Sequence, residues 1–178
     1  MLDYQKIFDK YCKDADLEIK LSFDMPSGYE TAYGTFDVET KTVFINSKKL
    51  NDAKDYEKAF YLFHELRHAA QYVQPKQFSD AVVKSSQYVI MYDGTCYKLI
   101  NGEFVECKLD GAENLFENLY IGQPYEVDAN EFAYEQTKKL LGDSEGLYEL
   151  YKFWMPSVPV ANETYEHIFA IIDKKIGE

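Results

Sequence analysis

The segment from about residue 53 to residue 73 predicts one long helix, and it constrains the fold of this chain more than any other feature. Asn51 and Asp52 precede it as candidate N-cap residues, and Pro75 follows its end. Inside it, residues 64–68 have the sequence HELRH, with a histidine at each end. Residues four positions apart on a helix are only about 40° apart around its axis, so both imidazoles project from one face.

The HELRH motif supplies the donor types of a metal site. Neutral imidazoles of His64 and His68 on one helix face suit Zn²⁺. Glu65 lies one step round the helix, where it can act as general base toward metal-activated water. The motif uses two of only three histidines in the chain. A helix with two surface or packed histidines is the alternative interpretation, and the motif alone leaves it open.

A catalytic zinc needs a third protein ligand and an open position. The residues after His68 (AAQYV) include no histidine, so this ligand must come from another segment. Residues 124–133 (PYEVDANEFA) place Glu126 and Asn130 one helical turn apart. Glu126 can ligate the metal, and Asn130, with Asp128 as its rival, can accept the free ring N–H of a ligand histidine. The alternative is an acidic first turn that complements the helix dipole.

These two motifs carry a resemblance to a known family. HELRH, followed by E-x-x-A-N-x-F-A from Glu126 to Ala133, resembles the zinc peptidases of the ImmA/IrrE type, which are gluzincins. HELRHxxQ with P-x-E-x-D-A is also similar to metallopeptidases of phages and mobile elements. The resemblance implies a zincin-like fold, a zinc ion held by His64, His68 and Glu126, and Glu65 as the catalytic base.

The same resemblance implies a mode of substrate binding. In zincins an edge strand beside the active-site helix pairs with the extended substrate, and residues 32–45 are the candidate here. The gap between His68 and Glu126 is longer than that family's, which predicts an insertion at about residues 75–122 within a single domain, residues 1–178. Such an insertion would cover or extend the substrate cleft.

Further residues are candidates for supporting roles. Gln71 follows His68 by one helical turn and can face the site edge, either as a hydrogen-bond partner of a ligand or as an ordinary surface residue. Peptide hydrolysis also needs a hydrogen-bond donor to the oxyanion. The candidates for that donor are Tyr120, Tyr125 and His167, although such residues more often lie in a core, a groove or a helix surface.

The patterns along the chain predict an α+β fold of the zincin-like kind: a small antiparallel sheet, the active-site helix and a mostly helical C-terminal half. Predicted helices cover residues 3–13, 53–73, 78–90, 112–120, 124–141, 144–154 and 162–176, and predicted strands cover 17–23, 32–38 and 42–45 with a hairpin at 95–109. A chain of 178 residues buries a sizeable core without needing disulfides.

Charge and hydropathy disfavour several classes of partner. The net charge is −12, and a basic footprint for nucleic acid or anionic lipid is absent from the sequence. No apolar run reaches the length of a membrane span, and the first residues lack the apolar stretch of a signal peptide. These features predict a cytoplasmic protein with no nucleic-acid or membrane partner.

The three cysteines are too few for a disulfide framework. Cys96 and Cys107 lie at equal distances from the Asn101-Gly102 turn of the predicted hairpin, so the two thiols should face each other across it. A reducing compartment and a hydrogen-bonded strand position both disfavour a disulfide between them.

The sequence therefore predicts a hydrolase: a zinc-dependent peptidase that cuts a protein or peptide bond with metal-activated water. The alternative is a catalytically silent zincin-like binding protein, or an accessory protein of a phage or mobile element. Glu65 favours the enzyme, because a purely structural metal needs no base.

Overall fold

A computed structural model describes residues 2–111 and 113–177 of the chain. These residues form seven α-helices and six strands, which confirms the predicted α+β class. In chain order the elements are α1 (Tyr4–Ala15), β1 (Lys20–Ser22), β2 (Gly34–Asp37), β3 (Thr42–Ile45), α2 (Asp55–Val73), α3 (Asp80–Ser85), β4 (Tyr88–Ile90), β5 (Thr95–Ile100), β6 (Glu103–Lys108), α4 (Glu113–Ile121), α5 (Pro124–Leu141), α6 (Glu145–Phe153) and α7 (Asn162–Gly177).

Internal contacts divide the chain into two compact units. The first contains the residues up to Pro75 together with Ala129–Tyr151, and the second contains Lys76–Asp128 and the residues from Lys152 onward. The division falls within α5, which is one continuous helix across it. The predicted insertion at residues 75–122 overlaps the second unit, and the prediction of a single domain stays a prediction.

The first unit contains a sheet in the order β1-β3-β2. The hairpin of β2 and β3 is antiparallel as predicted, but β1 pairs with β3 in parallel, so the sheet is mixed rather than antiparallel. Parallel pairing is possible here because residues 23–41, including the whole of β2, provide the crossover connection between β1 and β3. β2 is an edge strand, whereas β3 is central.

Helix α2 packs against β2 and β3. Fully buried side chains from β3, such as Val43 and Ile45, and from α2, such as Phe60 and Leu66, make up this part of the core. Apolar side chains on most of the helix surface explain why so long a segment is buried, and only a few polar side chains share that environment.

The predicted N-cap of α2 is wrong by two to three residues. The N-cap is Lys54 rather than Asn51 or Asp52, and its backbone N–H donates to the Glu57 carboxylate at 2.8 Å. The Glu57 carboxylate thus pairs one of the backbone N–H groups at the helix start. The sequence pattern assigned that task to the side chain of Asn51 or Asp52.

The second unit contains an antiparallel sheet in the order β4-β5-β6. Helix α7 packs against β5 and β6, and α4 packs against β4. Their contact is an apolar cluster that includes Tyr88, Ile90, Cys96, Phe116, Leu119, Tyr165, Phe169 and Ile172. The predicted hairpin is confirmed, and Cys96 lies opposite Cys107 with both thiols free.

The predicted helix at residues 78–90 is wrong. Only Asp80–Ser85 is helical, and Tyr88–Ile90 forms β4. The Gln123 side chain explains part of the change, because its amide donates to the Tyr88 carbonyl at 2.6 Å and its oxygen accepts from the Ile90 N–H at 2.9 Å. Pairing with β5 and with a distant side chain therefore overrides the local helical pattern.

Among the residues that the structure describes, no helix is both long enough and apolar enough to cross a membrane.

Candidate metal site

Helix α2 presents two imidazoles from one face, as its spacing predicts. His64 is half-buried and His68 is buried. Their rings lie edge to face with centroids 4.5 Å apart. Gln71 continues the same face by another turn and is 1% exposed. The interpretation of Gln71 as an ordinary surface residue is therefore wrong.

Helix α5 supplies the carboxylate. Glu126, Ala129, Asn130 and Ala133 are all buried and follow the i, i+3, i+4, i+7 spacing of one helix face. One ligand atom each from His64, His68 and Glu126 lies within 4.8 Å of the others, a grouping that could hold a metal ion. Glu126 is thus buried beside two imidazoles, which an acidic first turn facing solvent would not require.

Two amide oxygens fix the orientation of the imidazoles. Nδ1 of His64 donates to Oδ1 of Asn130 at 2.9 Å, and Nδ1 of His68 donates to Oε1 of Gln71 at 2.9 Å. The hydrogen bond that the sequence predicts for Asn130 is therefore present. Since an amide oxygen can only accept, each bond selects the tautomer that carries its proton on Nδ1.

That choice of tautomer has a consequence for the other ring nitrogens. In the neutral ring Nε2 carries a lone pair, and the two Nε2 atoms of His64 and His68 lie 2.9 Å apart. Two lone pairs at that distance repel each other unless a cation or a proton lies between them. The arrangement therefore fits a cation held by both Nε2 atoms, with the Glu126 carboxylate as a third donor.

Glu65 follows His64 on α2 and contacts the edge strand β2. It is 6% exposed, and its side chain lies against the backbone of Gly34 at the start of β2. The predicted edge-strand segment, residues 32–45, contains β2, which is an edge strand, and β3, which is not. Pairing of β2 with a substrate stays a prediction.

Sequence reasoning missed Gly34. The available signal was a glycine at the beginning of a strand pattern, which often marks a close approach of another group to the backbone. It could not identify Glu65 as the group that approaches, because that contact joins two elements far apart in the chain.

The remaining candidates have varied surroundings. Asp128 is half-buried on α5. The sequence left Asp128 as an alternative acceptor for the ring N–H of a histidine, and in the structure Asn130 accepts that hydrogen bond from His64. Tyr125 is buried, and the Tyr120 ring packs edge-on against Tyr92 with centroids 6.5 Å apart. His167 is exposed on α7. A role in stabilising the oxyanion stays a prediction for Tyr120, Tyr125 and His167.

Comparisons with protein-family models, with curated protein sequences and with solved structures each gave no match.

Proposed function

We propose that this chain is a zinc-dependent peptidase of the gluzincin kind, with a protein or peptide as substrate. The observation that carries the proposal is the pair of Nε2 atoms 2.9 Å apart, with both Nδ1 protons committed to amide oxygens and a buried carboxylate nearby. Two imidazoles and one glutamate are the donor set of many catalytic zinc sites.

Each side chain then has a definite task. His64, His68 and Glu126 would hold the ion, and Asn130 and Gln71 would keep the imidazoles turned toward it. When bound, zinc would act as a Lewis acid that polarises the scissile carbonyl and makes water more acidic. Glu65 would accept the proton of the attacking water and return it to the leaving amine. The resemblance of the two motifs to the ImmA/IrrE type of peptidase agrees with these roles.

The ligand types support the choice of zinc. Mg²⁺ and Ca²⁺ prefer oxygen donors, whereas imidazole nitrogen suits zinc and other transition metals. A purely structural zinc is usually closed by four protein ligands, and only three donors converge among the residues that the structure describes. Three ligands leave a position for water or substrate, which favours catalysis over a scaffold role.

The test is to load the protein with zinc and measure hydrolysis in two ways. A peptide library analysed by mass spectrometry reports cleavage without knowledge of the natural substrate, and p-nitrophenyl acetate reports water activation. We expect Glu65→Gln to lower both rates by about 10²–10⁴-fold while zinc affinity is retained, because the amide cannot accept the proton. Glu135→Gln, at an exposed position of α5, is the matched control and should behave as the wild type.

Two results would count against the proposal. Hydrolysis by Glu65→Gln at the wild-type rate would show that Glu65 is not the base. A wild-type protein that binds zinc stoichiometrically but hydrolyses neither probe would favour the zincin-like binding protein instead.

A further inference from the structure

The strand position next to Glu65 has no room for a side chain. A Cβ atom built on Gly34 would lie 2.7 Å from Cγ and 3.0 Å from Oε1 of Glu65, and 2.9 Å from the carbonyl oxygen of Phe44. Carbon atoms in proteins do not approach so closely without displacement. Glu65 is buried, so the atoms packed around its side chain limit how far that side chain can move aside.

Backbone conformation does not explain the glycine. Gly34 lies in a strand and is not among the glycines with positive φ, namely Gly28, Gly94, Gly102 and Gly142. Three of these, Gly28, Gly102 and Gly142, show the opposite case: their φ is positive, and a Cβ there would meet nothing within 4 Å. What Gly34 supplies is space, although a glycine weakens the strand that contains it.

The neighbouring position on β2 shows how the strand itself is held. Phe36 lies two residues further along, on the same face of the strand as Gly34. Its ring stacks on Tyr72 of α2 with centroids 6.0 Å apart and planes at 27°. At Phe36 an aromatic pair therefore holds β2 against α2. At Gly34 the missing side chain leaves space for the Glu65 carboxylate.

We propose that Gly34 is a positioning residue: by having no side chain it admits the Glu65 carboxylate against β2 and fixes the orientation in which that carboxylate acts as base. The inference rests on the proposed function for its catalytic consequence, but the contact between the two residues can be tested without it. Gly34 touches none of the three metal ligands through the atoms nearest its Cβ position, so metal binding should not depend on it.

The first experiment is a double-mutant cycle on the thermal stability of the metal-free protein. Gly34→Ala should lower the unfolding midpoint by roughly 2–12 °C, because it overpacks a buried contact. In the Glu65→Ala background, which lacks Cγ and the carboxylate, the same substitution should cost less, because only the contact with the Phe44 carbonyl remains. The matched control is Gly177→Ala, at a position with ordinary φ and open space, and its effect should be equal in both backgrounds.

The cycle is decisive even if Gly34→Ala fails to fold. If Gly34→Ala does not fold but the double variant Gly34→Ala/Glu65→Ala does, the two positions are strongly coupled, as the inference expects. Equal loss of stability or of folding in both backgrounds would overturn the inference, since the clash would then be with the Phe44 carbonyl rather than with Glu65.

The second experiment measures zinc affinity and p-nitrophenyl acetate hydrolysis. Gly34→Ala should keep the zinc affinity and lower the rate by about 10²-fold, as expected for a base displaced by about 1 Å. It should lower the rate no further when added to Glu65→Gln. Loss of activity in Glu65→Gln with a wild-type rate in Gly34→Ala would overturn the inference and leave the proposed function intact. A wild-type rate in Glu65→Gln would overturn the proposed function, while the stability cycle would still decide the contact.

Discussion

Buried amide side chains have different kinds of hydrogen-bond partner in the two units of this protein. In the first unit, Gln71 and Asn130 each accept a hydrogen bond from an imidazole. In the second unit, the fully buried Gln123 bonds to the backbone of β4 on both sides, at Tyr88 and at Ile90. All three amides are buried to a similar degree, so burial alone does not distinguish them.

The difference lies in what each amide satisfies. Gln123 pairs a backbone donor and a backbone acceptor that would otherwise be buried without partners, which stabilises the fold. Gln71 and Asn130 accept hydrogen bonds from ring N–H groups and, in doing so, also select one tautomer of each histidine. A buried amide that fixes a titratable ring is therefore an indication of a functional site.

The largest effect that separates the two roles is expected at Gln123. Replacing Gln123 by Leu leaves the Tyr88 carbonyl and the Ile90 N–H without their partner and should lower the free energy of unfolding by about 2–4 kcal/mol. Zinc affinity of the folded protein should not change. Denaturant unfolding and zinc titration measure the two quantities. Gln87→Leu, at an exposed position next to β4, is the control, and an equal loss of stability there would remove the distinction.

A smaller effect, of the opposite kind, is expected at Asn130. Asn130→Ala should weaken zinc binding by roughly 10–100-fold and leave the fold intact, because His64 loses the acceptor that holds its ring. Gln71→Ala should do the same through His68. Titration with zinc against a competing chelator gives the affinities. Loss of affinity in Asp128→Ala, with none in Asn130→Ala, would transfer the role to Asp128.

The smallest effect concerns the thiols of the second unit. Burial, followed by the neighbouring Cys107, raises the pKa of Cys96 to about 12, and burial also raises the pKa of Cys107. Since the thiolate is the reactive form, both should be alkylated slowly at pH 8, with half-buried Cys107 modified before buried Cys96. Peptide mapping after iodoacetamide treatment checks this order. A cross-linked Cys96–Cys107 peptide from protein purified without reductant would contradict the free-thiol state.

The sequence predicts the parts of this molecule whose patterns are local. Six of the predicted helices end within two residues of those in the structure, and the hairpin has the expected register. The sequence also predicts the hydrogen bond between His64 and Asn130, because one helical spacing in α2 and one in α5 are enough to place the two side chains.

The features that the sequence did not predict depend on distant contacts. Residues 88–90 have an apolar pattern that suits a helix or a strand, and the pairing with β5 decides between them. The parallel pairing of β1 with β3 and the space left by Gly34 also join elements that no local pattern relates. Gln71 is an intermediate case, because its spacing from His68 was visible but its burial was not.

We propose that His64, His68 and Glu126 hold one zinc ion through both Nε2 atoms and a carboxylate oxygen. Anomalous diffraction at the zinc edge, from crystals of the zinc-loaded protein, tests it most directly. We expect one strong peak per chain, about 2.0–2.2 Å from each of these three atoms. A principal peak at other residues, or zinc bound through Nδ1 with the hydrogen bonds to Asn130 and Gln71 broken, would contradict it.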